Sequence, residues 1–425
     1  MGKKLNFIIL FVLVLLSLSA AQGYTELSSS IDAGDTAWML VSSAFVLLMT
    51  PGLSFFYGGM VNKKNIISTM LQSFIALGVI SVLWVIVGFS LAFGESFGGI
   101  IGNPMTYFAF HNVGTEANPN FAGTIPFLLF ALFQLKFAII TPALITGSFA
   151  GRVRFRSYIL FMVLFSIFIY SPLAHMTWHP DGLLRKWGVL DFAGGTVVHM
   201  SAGFAALAGA VFLGKRRETF HEPANVPYVI LGTGLLWFGW FGFNAGSALG
   251  ASADAVIAFA NTNIASATAM ITWVFYERML GRKMSAVGAC IGAVVGLVAI
   301  TPAAGFVNIG QSMFIGFFAA LVSNWAIYLK DKTGIDDTLD VFPSHGIGGI
   351  IGMLLTGVFA SDVGLIYGEW ITFMYHLLTL AIVTVFCFGG SYLLYMIVDR
   401  IIPIRVRVDQ EAVGLDLSQH GEKIH

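Results

Sequence analysis

The sequence predicts an all-α polytopic membrane protein with eleven transmembrane helices, and three observations carry that prediction. Apolar residues make up 57% of the 425-residue chain and charged residues only 10%, against roughly 25% charged in a soluble domain. Apolar runs long enough to cross roughly 30 Å of hydrocarbon recur along the whole chain. Lysine and arginine crowd alternate connections, the pattern of a chain that crosses a bilayer repeatedly. The formal net charge is zero, which argues against a basic surface for nucleic acid, and no Walker-type phosphate loop occurs.

At the amino end, Lys3 and Lys4 precede an apolar run from Leu5 to Leu18 and the small residues Ser19, Ala20 and Ala21. That order reads as a secretory signal peptide over residues 1–21, cut near Ala21, with an uncut first helix as the competing reading. The membrane domain then occupies residues 22–402 and a cytoplasmic tail residues 403–425. Its expected spans are 36–58, 66–93, 123–148, 157–177, 192–213, 227–249, 255–276, 284–302, 311–330, 343–361 and 369–400.

One set of connections carries Lys63, Lys64, Arg152, Arg154, Arg156, Lys215, Arg216, Arg217, Arg278, Arg282, Lys283, Lys330 and Lys332, with Arg400, Arg405 and Arg407 in the tail. The opposite set carries only Arg185 and Lys186. This bias places the amino terminus outside and the carboxyl tail in the cytoplasm, as expected of a multi-pass protein of the cytoplasmic (inner) membrane. An odd number of spans agrees with both.

Within the spans, ionisable residues are few. Asp191 stands at the mouth of the fifth, in LDFAGGTVVHMSAG, and His199 lies eight residues deeper, about 12 Å along a helix. His345 lies in the tenth, in VFPSHGIGG. An ionisable group at such depth marks a functional site by default. Histidines in spans five and ten fit two inverted five-helix repeats plus a long eleventh helix, with the site at the repeat interface. The 48 glycines cluster beside both histidines, which lets the two helices approach closely. Asp191 has two readings: a cap for the glycine-rich helix start, or a direct cation ligand.

Other chemistries find less support. His175 and His179 stand four apart without a third metal ligand, and Pro180 ends their helix. Cys290 and Cys387 fall in apolar runs, where they pack as small hydrophobes. No nucleophile elbow accompanies His199. The reading is therefore of a protein that is not an enzyme, with no cofactor and no metal.

The segments MTPGLSFFYGGMV (49–61), LDFAGGTVVH (190–199), WFGFNAGS (240–247), DDTLDVFPSHGIGG (336–349) and GLDLSQHGE (414–422) resemble those of the ammonium transporter family, which comprises the Amt, Mep and Rhesus proteins. They are closer to the Amt branch and occur in the family's order along nearly the whole chain. The resemblance implies a homotrimer whose protomers each hold a pore for ammonium and ammonia. It implies an external ammonium site of Trp178, Phe133 and Ser247, with Asp191 near the entry. It further implies a stacked gate of Phe133 and Phe243, and a pore lined by His199 and His345. A PII-type regulator or a signalling domain at the cytoplasmic tail is implied as partner. A Rhesus-like gas channel fits less well, because Trp178 and the FNAGS segment follow the Amt pattern.

Lys136 departs from that pattern, standing where the family has a small or apolar residue. Three residues after Phe133, it lies on nearly the same helix face. Pointed at the pore, it would block a cation; pointed at a neighbouring helix, it would be a packing residue. Ser344 before His345 is a second, smaller departure. These features leave two functional expectations, a conducting transporter and a non-conducting ammonium sensor that signals through the tail.

Overall fold

The computed structural model describes residues 11–17, 30–217 and 222–424; the expected cleavage point near Ala21 lies outside them. Among the described residues, ten helices are long and apolar enough to cross a membrane, and an eleventh apolar helix is shorter. In chain order they are α1 Ala33–Met60, α2 Lys63–Phe93, α3 Phe127–Phe149, α4 Phe155–Lys186, α5 Gly195–Leu213, α6 Val226–Ala248, α7 Ala253–Met279, α8 Ala286–Ile300, α9 Ile309–Thr333, α10 Phe342–Phe359 and α11 Trp370–Ile401. Two small hairpins cover the connection between α2 and α3, pairing Ser96–Phe97 with Ile101–Gly102 and Ala117–Asn118 with Ala122–Pro126.

Helix α8 has only 15 residues, about 22 Å at 1.5 Å per residue. Its crossing is completed by the turns of residues 301–307, most of them buried. Irregular backbone is tolerated at that depth because protein, not lipid, surrounds it. Ala303 N–H reaches Ile300 O and Phe306 N–H reaches Ala303 O.

The first helices of the two repeats, α1 and α6, run against each other along most of their length. Glycine makes this possible: a Cβ on Gly232 would collide with the Phe56 nitrogen. The last helices, α5 and α10, cross in the same way, where a Cβ on Gly203 would collide with Gly346 Cα. In a bilayer such close backbone approach gains dispersion contacts that bulkier residues would prevent.

The basic connections meet at one end of the bundle. Arg152, fully buried, pairs with Asp336 at 3.4 Å, which also pairs with Arg216 at 3.0 Å. Arg152 further donates to the carbonyls of Ser148, Gly214 and Asp336. The tail returns to this end as α12, Val408–Val413, held by Arg405 on Glu411 at 3.0 Å. Beyond it, the Asp416 carboxylate accepts from Ile67 N and Ser68 N at 3.0 and 2.7 Å, capping the start of α2. The GLDLSQHGE motif therefore docks on its own protomer.

Candidate functional site

The helix starts of α5 and α10 build the site. Asp191 is buried, and its two oxygens accept from the backbone of Gly194 (2.7 Å), Gly195 (2.7 Å), Thr196 (2.8 Å) and Val197 (3.3 Å). Four orphan donors at a helix N-terminus thus share one carboxylate, at the end where the helix dipole also favours negative charge. The chain enters this turn through Gly194 at φ +117, a conformation that glycine adopts at little cost. Trp178 Nε1 donates to the Asp191 carbonyl at 3.1 Å, tying the end of α4 to the same turn.

Above the turn lies a vestibule of about 230 Å³, bordered by Gln134, Phe137, Trp178, Asp191 and Ser247 among others. Ser247 donates its hydroxyl proton to Phe243 O at 2.8 Å, which leaves its lone pairs free to accept from a guest. The Gln134 carbonyl oxygen is buried without a partner. Phe137 stands edge-on to Trp178 at 5.8 Å and lies over Phe243 at 4.3 Å, closing the floor.

That pairing corrects the expected gate of Phe133 and Phe243. Phe133 is fully buried one turn above Phe137, 4.9 Å from its ring, and packs against Gly246; it is not among the vestibule residues. The two phenylalanines occupy one face of α3. The register of α6 decides between them, bringing Phe243 to the lower ring and Gly246 to the upper.

Of the two readings of Lys136, the burial pattern of α3 favours a residue outside the column. From Phe127 to Phe149, only Leu128, Leu132 and Lys136 are not buried. Their spacing of four makes them one outward stripe, with Lys136 rotated about 100° from the adjacent Phe137.

Below the gate, Phe243 stacks on His199 at 5.8 Å, and His199 on His345 at 5.3 Å. The facing Nδ1 atoms of the imidazoles are 3.3 Å apart, and His199 Nε2 has no protein partner. An Nδ1 to Nδ1 contact needs a proton on one ring only, so the pair is a donor and an acceptor in series. Trp240 backs His199 at 5.2 Å and is anchored by Nε1 on Thr301 Oγ1 at 2.9 Å. Past His345 a small chamber of about 10 Å³ is lined by Tyr57, Leu339, Val341 and Ser344 among others. A vestibule, a pair of stacked rings, an imidazole pair and a small chamber thus follow one another in one column.

Residues 37–424 match the family model described as Ammonium Transporter Family. The chain belongs to the ammonium transporter family. It is similar to the "Ammonium transporter" of Aquifex aeolicus, 45% identical over 98% of both chains. It is also similar to that of Bacillus subtilis, 43% identical over 92% of this chain and 98% of the relative. Among solved structures, Mep2 of Candida albicans is 35% identical with a TM-score of 0.87, covering 94% of this chain and 92% of its own. A protein titled "Sensor Amt Protein" is 28% identical with a TM-score of 0.84, over 91% of this chain and 98% of its own.

In this member of the ammonium transporter family, a group of transporters and not of enzymes, the column is also flanked by residues to which the resemblance gave no role. Asp337 stands eight residues before His345, as Asp191 stands before His199. It is fully buried, and its Oδ2 accepts from Phe342 N at 2.7 Å, the first turn of α10. The repeated spacing of acid and histidine is the signal that marks it. Gln134, three residues before Phe137 on the same face, is marked by that spacing in turn. His175 has both ring nitrogens committed, to Ala92 O at 3.0 Å and Ser96 Oγ at 2.8 Å, and stacks on His179 at 4.3 Å. These contacts fasten the outer hairpin to α4.

Proposed function

We propose that the protein transports ammonium by recruiting it in the vestibule, deprotonating it at the ring gate and passing ammonia through the histidine column. The observation that carries this reading is the imidazole pair, 3.3 Å apart directly beneath stacked rings.

Recruitment uses the aromatic faces of Trp178 and Phe137, each contributing roughly 0.5 to 2 kcal/mol toward a cation. Ser247 and Gln134 supply oxygens for the N–H bonds of the ion. Asp191 holds the helix start in place and need not touch the substrate. Below the gate the column is apolar, and an intact monovalent ion there costs many kcal/mol while neutral ammonia costs little. The N–H bond of ammonium breaks at the gate, leaving ammonia and a proton. Ammonia hydrogen-bonds past the imidazoles, the proton passes between their nitrogens, and both recombine on the inner side. Potassium has no proton to give, so the column excludes it.

The same reading includes a homotrimer, each protomer with its own column, amino termini outside and tails in the cytoplasm. The docked tail is the surface on which a PII-type regulator or a signalling partner would act. A non-conducting sensor is the alternative reading. It draws on Lys136, on the docked tail and on the likeness to the "Sensor Amt Protein"; the stripe of half-buried residues that holds Lys136 weighs against the first of these.

The test is ammonium-triggered current in proteoliposomes, for the wild type, His199→Ala and Lys136→Gly. A wild-type current lost in His199→Ala and kept in Lys136→Gly is the expected result. Absence of wild-type current despite measurable ammonium binding would overturn transport in favour of sensing.

A further inference from the structure

Lys136, turned away from the pore, has no evident way to solvate its charge. It is the tenth residue of α3, whose 23 residues begin at the end of the bundle that holds the vestibule, so it sits about 14 Å below that end. A lysine stem cannot span that distance to water, and an ionisable residue at such depth requires a partner. Among the described residues its ammonium group has no hydrogen bond and no ion pair.

A second polar side chain shares this condition. Asn263 is exposed on the outer face of α7, in a stripe with Val256 and Phe259, and its amide has no partner among the described residues. Packing places the two residues at one depth. Lys136 adjoins Phe137, which lies over Phe243 at 4.3 Å. Asn263 adjoins Thr262, whose hydroxyl accepts from Asn244, the neighbour of Phe243, at 2.9 Å. Both therefore lie level with the ring gate. They also face out on opposite flanks of the α1 and α6 pair, since α6 contacts α7 on one side and α1 contacts α3 on the other.

We infer that Lys136 of one protomer donates to the Asn263 amide oxygen of the next, around a closed ring of like protomers. Two different patches, a cationic donor and a neutral acceptor at equal depth, define a heterologous contact, which closes only by rotation. The inference rests on the assembly of like protomers proposed above and adds which faces meet. It places an inter-protomer hydrogen bond one residue from the gate ring Phe137.

The test is thiol cross-linking of the full-length protein in membranes with a short bifunctional methanethiosulfonate. The variants are Lys136→Cys, Asn263→Cys and the double variant, with the buried Cys290 and Cys387 in the wild type as background control. The expected result is a ladder of linked protomers for the double variant and single protomers otherwise. Co-expression of the two single variants with different tags should give one linked dimer carrying both tags. Dimers from either single variant would overturn the inference by showing like patches meeting. So would an unlinked double variant that native mass spectrometry still reports as an oligomer. A monomer by native mass spectrometry would overturn the assembly itself. Independently, Lys136→Asn and Asn263→Lys should each lower the temperature at which the oligomer dissociates, and their combination should restore it. Additive losses would overturn the pairing.

Discussion

The outer and inner halves of the column are built to one plan and finished differently. Each begins with an aspartate eight residues before a histidine, and each histidine lies in a wide helical turn, Gly195–Met200 or Phe342–Ile347. Such turns are uncommon and concentrate at functional sites. The outer aspartate is saturated by four backbone donors. The inner one accepts from Phe342 N with one oxygen, while its Oδ1 is buried without a partner. Repetition in an inverted fold therefore preserves the position of a group without preserving its work. The carboxylate of Asp191 is a structural anchor, and that of Asp337 retains unused capacity at the opposite end of the column.

The sharpest way to break this comparison is to remove each carboxylate. Asp191→Ala strips four buried N–H groups of their acceptor, at about 1 to 3 kcal/mol for each that water cannot reach. It should abolish the folded membrane domain or lower its unfolding temperature drastically, read by thermal unfolding in detergent. Asp337→Ala should cost only about 1 to 2 kcal/mol, the loss of one helix cap. Equal effects of the two substitutions would remove the distinction.

The gate gives a contrast of intermediate size. Phe137→Ala opens the ring stack over His199 and should change selectivity, measured as potassium current through proteoliposomes. Phe133→Ala should leave selectivity intact and cost about 3 to 5 kcal/mol of stability as a core truncation. Potassium leak in the Phe133 variant alone would restore that residue to the gate.

The smallest effect is a pH dependence. Burial, with Asp340 nearby, pushes the Asp337 carboxyl up to about 6. A carboxyl raised in the folded state favours folding when protonated; that contribution is complete below the ordinary carboxyl range and is lost as pH rises through about 6. Wild-type stability should therefore lose a component between about pH 4 and pH 6. Asp337→Asn, which keeps an oxygen for Phe342 N–H, should flatten it in detergent unfolding curves. A slope unchanged by this substitution would locate the titration elsewhere.

Much of this architecture is legible in the amino-acid order, because hydrocarbon thickness imposes run lengths that hydropathy exposes directly. The eleven spans are of this kind, and the meeting of His199 and His345 is legible in the glycines beside them. Helix α8 is shorter than its apolar run, since buried turns at Thr301 to Val307 are as apolar as a helix. The gate lies one turn from its expected place because Phe133 and Phe137 are equivalent on α3, and only cross-helix register separates them. Lys136 lies about 60° round the helix from Phe133 and about 100° from Phe137, so the register that selects Phe137 also turns Lys136 further from the column. Asp337 is hidden in the sequence because it stands among Asp336 and Asp340, in a connection that reads as a solvated loop.

The crossing of α5 and α10 at Gly203 and Gly346 has a bearing on speed. Gly346 is next in sequence to His345, and Gly203 lies one turn below His199. The backbone separation at that crossing therefore acts as a spacer bar for the imidazoles. A single added methyl group would have to push the helices apart, and the gap between the two nitrogens would widen with them. In the transport proposed above a proton passes between these nitrogens, and on that reading the missing side chains of two glycines set the length of its hop.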